Sequence, residues 1–244
     1  MRLSVIIPAY NEEKRLPHTL REIDKYLSAQ DYDYEIIVVS DGSTDRTADV
    51  VREMTETIKN LKLIDNKQNR GKGFATRQGM LEAQGEFRLF TDADNSTTID
   101  HIEKFWPYFE QGYDIVIGSR AVKGAVLDPP QSWGRRQKGA AFRLLTNIFA
   151  GLWDIKDTQC GFKCFTKRAV EDIFPRCRID RFSFDVEILV IAKLLGYKIK
   201  EVPIRWVNDP HSKVKFKNMA KMGFDLIKIR WNLIKKIYVQ KTSF

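Results

Sequence analysis

Residues 35–45, Glu35-Ile36-Ile37-Val38-Val39-Ser40-Asp41-Gly42-Ser43-Thr44-Asp45, decide the fold. A short β-branched apolar run reads as a buried strand. It stops at a carboxylate and a glycine. The Ser-Thr-Asp group behind them is suited to capping a helix over residues 44–57. The same strand–polar turn–helix grammar flanks this stretch on both sides. Residues 3–8 read as a strand ending at Tyr10-Asn11-Glu12, and residues 11–29 place Leu16, Leu20, Ile23 and Leu27 on one helical face. Downstream, strands are expected at 62–66, 86–91 and 114–119, with helices at 71–84 and 99–111 between them. This alternation predicts an α/β fold with a mostly parallel, doubly wound sheet. Ligands of such sheets sit outside the carboxyl ends of the strands, and the conspicuous polar residues collect there: Tyr10, Glu12, Asp41, Asp92, Asp94, Ser119 and Arg120.

The second half is less regular. Residues 121–136 read as a loop, 137–153 and 219–239 as amphipathic helices, 184–195 as a helix and 198–204 as a strand. On 137–153, Phe142, Leu144, Leu145, Ile148 and Phe149 share a face, with Arg143, Thr146 and Asn147 opposite. On 219–239, Met219, Met222, Leu226, Ile227, Leu233, Ile234 and Ile237 share an arc, with lysines opposite. Such a helix either packs on a core or lies at a lipid interface. Arg230, inside the apolar arc, favours the interface, where it can snorkel.

Composition is that of a globular chain, with 43% hydrophobic and 30% charged residues in 244. The net charge of +9 is concentrated at one end: residues 198–244 carry 12 Lys or Arg against 3 Asp or Glu, whereas the first 197 carry 29 of each sign. A basic tail of this kind suits an anionic partner such as lipid headgroups. No nucleic-acid motif accompanies it, so nucleic acid is not an expected partner. No apolar run reaches the roughly 18 residues a membrane span needs, and residues 3–7 open directly as a strand without a signal peptide. Three cysteines, Cys160, Cys164 and Cys177, make neither a disulfide framework nor a zinc site. The expected location is the cytoplasm, peripherally at the cytoplasmic face of a membrane.

Two constellations suggest chemistry. Asp92-Ala93-Asp94 follows an apolar strand, and carboxylates at i and i+2 of an extended chain share a side. They suit a hard cation, Mg2+ or Mn2+, that also takes phosphate oxygens; a solvated acidic turn is the plain alternative. Asn69-Arg70-Gly71-Lys72-Gly73 precedes a helix, so the backbone N–H groups near Gly71 and the Lys72 ammonium can meet phosphate. Asp41 can accept from a nucleobase imide or a ribose hydroxyl, or simply close a turn.

The segments VIIPAYNEE, IIVVSDGSTDRT, NRGKGFATRQGM, FTDADNST, DIVIGSR, DTQCGFKCF and RFSFDVEIL occur in this order over about three quarters of the chain. In them the sequence resembles glycosyltransferase family 2, with its GT-A fold. Within that family it resembles the dolichyl- or polyprenyl-phosphate β-glucosyltransferases, relatives of the dolichol-phosphate mannose synthases. The resemblance implies that Pro8, Ala9, Tyr10 and Glu12 line the nucleotide pocket, with Val39 and Asp41 around the base. Asp92, Ala93 and Asp94 would hold ribose, diphosphate and metal, Asp94 being the firmest metal ligand. Arg120 would contact diphosphate or acceptor phosphate, and Gln159 would lie toward the acceptor. Lys213 matches a late Ser-Lys element, although Asn208-Asp209-Pro210-His211 departs from the usual loop and leaves Arg205 hard to align.

The implied reaction is inverting transfer of glucose from UDP-glucose to dolichyl or polyprenyl phosphate. GDP-mannose as donor, a soluble or protein acceptor, and a non-catalytic sugar-nucleotide-binding protein are the alternatives. An ionised phosphate acceptor needs no strong general base. Arg120, Arg135, Arg136 and Lys138 are suited to neutralising two anions. Asp185 orients the acceptor or basic side chains, or acts as the base if the acceptor is a hydroxyl; capping of a helix by Ser183 and Asp185 is the structural alternative. The expected organisation is a catalytic domain over 1–215, divided at 120 into nucleotide and acceptor halves, followed by a basic amphipathic helix over 216–244.

Overall fold

The structure, a computed structural model, describes residues 1–129, 133–207 and 216–239; the side chains of residues 133–136, 138 and 216–220 lie outside the described set. The strands are β1 (Leu3–Ala9), β2 (Tyr34–Asp41), β3 (Leu61–Asn66), β4 (Phe87–Phe90), β5 (Ile115–Ser119), β6 (Val126–Asp128), β7 (Lys163–Thr166), β8 (Ile199–Pro203) and β9 (Arg205–Val207). The helices are α1 (Leu16–Leu27), α2 (Thr47–Thr55), α3 (Lys72–Glu82), α4 (Trp106–Glu110), α5 (Trp133–Ala150), α6 (Lys167–Ile173), α7 (Phe184–Leu194) and α8 (Phe216–Ile234). A seven-stranded sheet runs β3-β2-β1-β4-β7-β5-β8, and β6 pairs with β9 as a small ribbon.

The main sheet is parallel except for β7, which is antiparallel to both neighbours, with Phe90 and Ile117 opposite Lys163. The sequence does not announce β7. It is four residues long and contains a lysine and a cysteine, too few positions to display a period. β1 and β2 are buried at every residue, as strands covered by helices on both faces must be. One core lies under α3, α6 and α7, and a second under α1, α2 and α4.

Several expected boundaries move for local reasons. Asp45, within the expected Ser-Thr-Asp group, accepts the Thr47 N–H on its Oδ1 at 2.9 Å, and α2 starts at Thr47 rather than residue 44. The expected 99–111 helix is a 3-10 segment over Ile99–Lys104 followed by α4, with Pro107 in the first turn of α4, where its missing N–H costs nothing. The 121–136 stretch is not all loop, because β6 lies within it and α5 begins at Trp133.

The two amphipathic helices differ most from expectation. α5 turns part of its apolar face outward, leaving Leu144, Leu145 and Ile148 about half exposed, while Thr146, expected on the outer face, is fully buried. On α8 the apolar arc divides. Met222, Leu226 and Ile229 are buried, whereas Phe224, Ile227, Trp231 and Ile234 are exposed. Arg230 is exposed as well. α5 and α8 pack against each other. No helix among the described residues is long and apolar enough to cross a membrane.

Candidate active site

From β1 the chain winds outward through β2 to β3, then returns over α3 to β4 on the other side of β1. The crossovers leave β1 in opposite directions, so a crevice opens between the carboxyl ends of β1 and β4. Residues 10–15, 41–46 and 91–96 run into it. The 157–162 turn also reaches this edge, because antiparallel β7 begins where its parallel neighbours end.

β4 ends at Phe90, so Asp92 and Asp94 lie beyond the strand in a turn whose middle is fixed by the Thr19 hydroxyl donating to the Ala93 carbonyl at 2.8 Å. The two carboxylates differ in their partners. Asp92 is ion-paired with the Lys72 ammonium. Gly161 stands against that carboxylate so closely that a Cβ there would overlap it. Asp94 accepts the Ser96 N–H at 3.0 Å and makes no ion pair among the described residues. Burial and the neighbouring Asp92 charge push its carboxyl above the usual range.

Lys72 sits at the start of α3, partly buried, 5.9 Å from the Phe184 ring centroid. Burial acts to lower its pKa, but the carboxylates of Asp92, Asp185 and Asp94 raise it further, so it is held charged. Asp185, buried on α7, is ion-paired at 2.5 Å with the fully buried Lys163 of β7. Burial pushes the Asp185 carboxyl up, and the Lys163 and Lys72 ammoniums pull it back. Acid and base thus alternate along Asp92, Lys72, Asp185 and Lys163. Ser183 does not cap α7 with its side chain; its hydroxyl donates to the Met222 carbonyl at 3.4 Å.

On the β1–β2 side, Asp41 is buried and accepts the Arg70 and Gly71 N–H groups at 2.9 and 2.7 Å. Its carboxylate ties the glycine loop to the end of β2. Gly71 has φ +117° and abuts the Asp180 carbonyl, a position only glycine fills without strain. Glu12 is forked to Arg15 by two bonds of 2.7 Å. Tyr10 is 41% exposed at the mouth, above the buried Pro8 and Ala9. Val39 is fully buried with its side chain toward Gly79 of α3, so it presents only main chain to the crevice.

On the opposite side, Arg120 is clamped by Asp157 through Nε at 2.7 Å and Nη2 at 2.9 Å, and lies 5.4 Å from the Trp206 ring centroid. Burial works against both charges, and each partner outweighs it for the other, so the arginine stays protonated and the aspartate ionised. Gln159 belongs to the same turn, its N–H on Asp157 Oδ1 at 3.2 Å. Lys213 and the side chains of Arg135, Arg136 and Lys138 lie outside the described residues. Arg205, exposed on β9, pairs with Asp128 away from these groups.

The donor set fits a hard divalent cation. Lys72, Lys163, Arg120 and Arg15 are each taken by a carboxylate, and Asp41 by two N–H groups. Asp94, half-buried beside Asp92, is in no ion pair among the described residues, and the Ser96 N–H and the longer-range charge of Arg15 partly offset its burial. Two carboxylates and no nitrogen or sulfur ligand suit Mg2+ or Mn2+, which fill their remaining positions with water and phosphate oxygens. Among the described residues no group of three or more His, Cys, Asp or Glu could hold a metal by itself.

Arg15, Asp157, Gly161 and Lys163 are additional members of the site. The last three stand inside DTQCGFKCF, but only the reversed direction of β7 gives them their places beside Asp92, Arg120 and Asp185. The cysteines of that region, like Cys177, are free and buried, and burial lifts the Cys160 thiol to about 12.

Residues 4–174 match the family model for Glycosyl transferase family 2. A dolichyl-phosphate beta-glucosyltransferase of Trichomonas vaginalis is 39% identical, over 93% of this chain and 72% of its own. The Homo sapiens dolichyl-phosphate beta-glucosyltransferase is 36% identical, over 94% of this chain and 75% of its own. Among solved structures, glucosyl-3-phosphoglycerate synthase from Mycobacterium tuberculosis in complex with Mn2+ and UDP-glucose superposes with a TM-score of 0.67 at 17% identity, covering 93% of this chain and 77% of that one. That is a likeness of fold, the GT-A fold. A sheet of this order, a DAD turn at its crevice and relatives matched along nine tenths of the sequence lead to one conclusion: this chain belongs to glycosyltransferase family 2 and is a glycosyltransferase.

Proposed function

We propose that this enzyme transfers glucose from UDP-glucose to dolichyl or polyprenyl phosphate, with inversion at the anomeric carbon, while docked on the cytoplasmic face of a membrane. The relatives' names support the acceptor and the sugar. One observation supports the donor site: Asp94, a half-buried carboxylate, is in no ion pair among the described residues and stands beside Asp92 at the switch-point crevice. Asp94 and Asp92 would hold Mg2+ or Mn2+, and such a cation would supply positive charge toward a leaving diphosphate.

The protein groups do the rest. Tyr10, with Pro8, Ala9 and Glu12, borders the base, and Asp41 holds the Gly71 loop under it. Lys72 exchanges part of its contact with Asp92 for the diphosphate. An ionised oxygen of the acceptor phosphate attacks the anomeric carbon from the face opposite the leaving diphosphate. The new C–O bond forms as the old one breaks, and its electron pair leaves on the diphosphate oxygen. No proton has to move, so Asp185 need not act as a base, and its pairing with Lys163 suits it to holding Lys72. Arg120, fixed by Asp157, orients phosphate, with Gln159 beside it and Arg135, Arg136 and Lys138 completing the acceptor side.

Membrane association rests on α5 and α8. Leu144, Leu145, Ile148, Phe224, Ile227, Trp231 and Ile234 are exposed on two neighbouring helices, accompanied by Arg143, Lys221, Lys228, Arg230 and Lys235. Apolar side chains fringed by basic ones fit an anionic lipid surface.

The test supplies Mn2+, a short polyprenyl phosphate and separately labelled UDP-glucose and GDP-mannose. Lipid-linked label is expected from UDP-glucose and is lost in Asp94→Ala. Label from GDP-mannose alone would reassign the donor, and no transfer from either would overturn the function.

A further inference from the structure

The crevice and α8 are joined by one short segment, Arg178-Ile179-Asp180-Arg181-Phe182-Ser183. On the crevice side it grips the loop that carries Lys72. The Asp180 carbonyl accepts the Phe74 N–H at 3.0 Å, and the Asp180 carboxylate pairs with Arg77 at 2.7 Å. A Cβ on Gly71 would overlap the Asp180 carbonyl, and one on Gly73 would come within 2.7 Å of the Ile179 carbonyl. Gly71 and Gly73 therefore let the segment lie flat on the loop whose N–H groups hold Asp41 and whose lysine holds Asp92.

On the other side the same segment is fastened by α7 and the C-terminal region. Glu187, fully buried, accepts the Arg178 and Ile179 N–H groups at 2.9 and 2.8 Å. Its remaining partner is the Tyr238 hydroxyl at 2.7 Å. Tyr238 is also fully buried, and its oxygen accepts from Asn232 of α8 at 3.0 Å. The Ser183–Met222 bond adds another tie to α8, and Lys228 donates to the Arg178 carbonyl at 3.5 Å. A buried carboxylate is costly unless its oxygens are satisfied, so the phenol at residue 238 secures Glu187, and Glu187 secures the segment.

We propose that Glu187 and Tyr238 are positioning residues of the donor site: through Arg178–Asp180 they hold the Gly71–Gly73 turn, and with it Lys72, in register with Asp92. This rests on the assignment of the crevice to a nucleotide diphosphate. It makes the C-terminal region part of the donor site's framework as well as a lipid-facing surface. A detached anchor would have no such tie.

The experiment uses the full chain, UDP and Mn2+. Titration calorimetry gives the UDP dissociation constant, and kinetics with UDP-glucose give separate KM values for donor and acceptor. Tyr238→Phe and Glu187→Gln should each weaken UDP binding about fivefold to tenfold, roughly what one lost buried hydrogen bond is worth, and raise the donor KM while the acceptor KM stays within twofold. Leu27→Ala, a cavity at the end of α1 in the other core, should lower the melting temperature and leave UDP binding within twofold. Arg77→Gln, at the crevice end, should weaken UDP binding too, and combined with Tyr238→Phe should cost less than the product of the two, because both loosen one segment. If Glu187→Gln does not fold, the milder Tyr238→Phe decides. UDP affinity unchanged in Tyr238→Phe would overturn the inference alone; no binding of UDP or GDP by the unaltered chain would overturn the donor-site assignment together with it.

Discussion

The crevice at the carboxyl ends of β1 and β4 and the outer faces of α5 and α8 solve opposite problems. In the crevice nearly every charge has a partner: Lys72 with Asp92, Lys163 with Asp185, Arg120 with Asp157, Arg15 with Glu12. The charges are fixed before any ligand arrives, which is what preorganised stabilisation of a charged transition state requires. On α5 and α8 the unmet demand is apolar, with Trp231, Ile234 and Phe224 left more than half exposed. Order in the first region comes from short, directional contacts. In the second the surface is non-directional and suited to a fluid partner. Asp94, outside the described ion pairs, stands in the first region, and the exposed hydrocarbon gathers in the second.

The sharpest way to break this contrast is Asp94→Ala. Transfer should fall by on the order of 10²–10³-fold, the scale of losing one preorganised electrostatic group, while vesicle binding and the melting temperature hardly change. Initial rates, flotation and thermal melts check the three parts. Gly161→Ala comes next. Its methyl must displace the Asp92 carboxylate, so a loss of up to about 10²-fold in rate is expected, in line with small misplacements elsewhere.

The other region is probed by Ile227→Ser with Trp231→Ser. Each removes a side chain worth up to about 1.5–3 kcal/mol when buried in an apolar phase, so flotation with anionic vesicles should drop at least about tenfold. Turnover of a water-soluble short-chain acceptor should persist, and unchanged flotation would remove α8 from the membrane face.

The smallest effect concerns a charge at the far edge of the sheet. Burial would raise the Glu35 carboxyl, but Lys62, the Ser4 hydroxyl and the Gln84 N–H outweigh it and hold it low. Its contribution is therefore complete above the ordinary carboxylate pKa and is lost as pH falls through the depressed value. Glu35→Gln should cost about 1–3 kcal/mol at pH 7, and denaturant titrations should show that deficit shrinking below about pH 4, with activity unaffected.

Much of this was legible without coordinates. The β-branched run ending at Asp41, the strand ending at Ala9 and the DAD turn place three crevice elements, because apolar period and turn chemistry are local. The segment 157–166 was legible as a motif but not as structure. Four strand residues carry no readable period, and the antiparallel insertion that brings Gly161 to Asp92 depends on pairing with β4 and β5. The two amphipathic helices gave the reverse difficulty. Their stripes were plain, but the direction each stripe faces is set by neighbours far along the chain, so Thr146 is inside and Leu144 outside.

The sequence by itself determined the alternation of elements, the carboxylates at strand ends, the basic C-terminal region and the family. Each follows from residues close together in the chain. Tertiary structure alone decided which charges pair, matching Asp185 to Lys163 and leaving Asp94 outside the described ion pairs. It also decided which apolar side chains stay in water, and that Tyr238 reaches back to Glu187 beneath the donor loop. Those outcomes depend on contacts between residues distant in sequence, where burial fixes the energy of a charge or a methyl group and no local pattern records it.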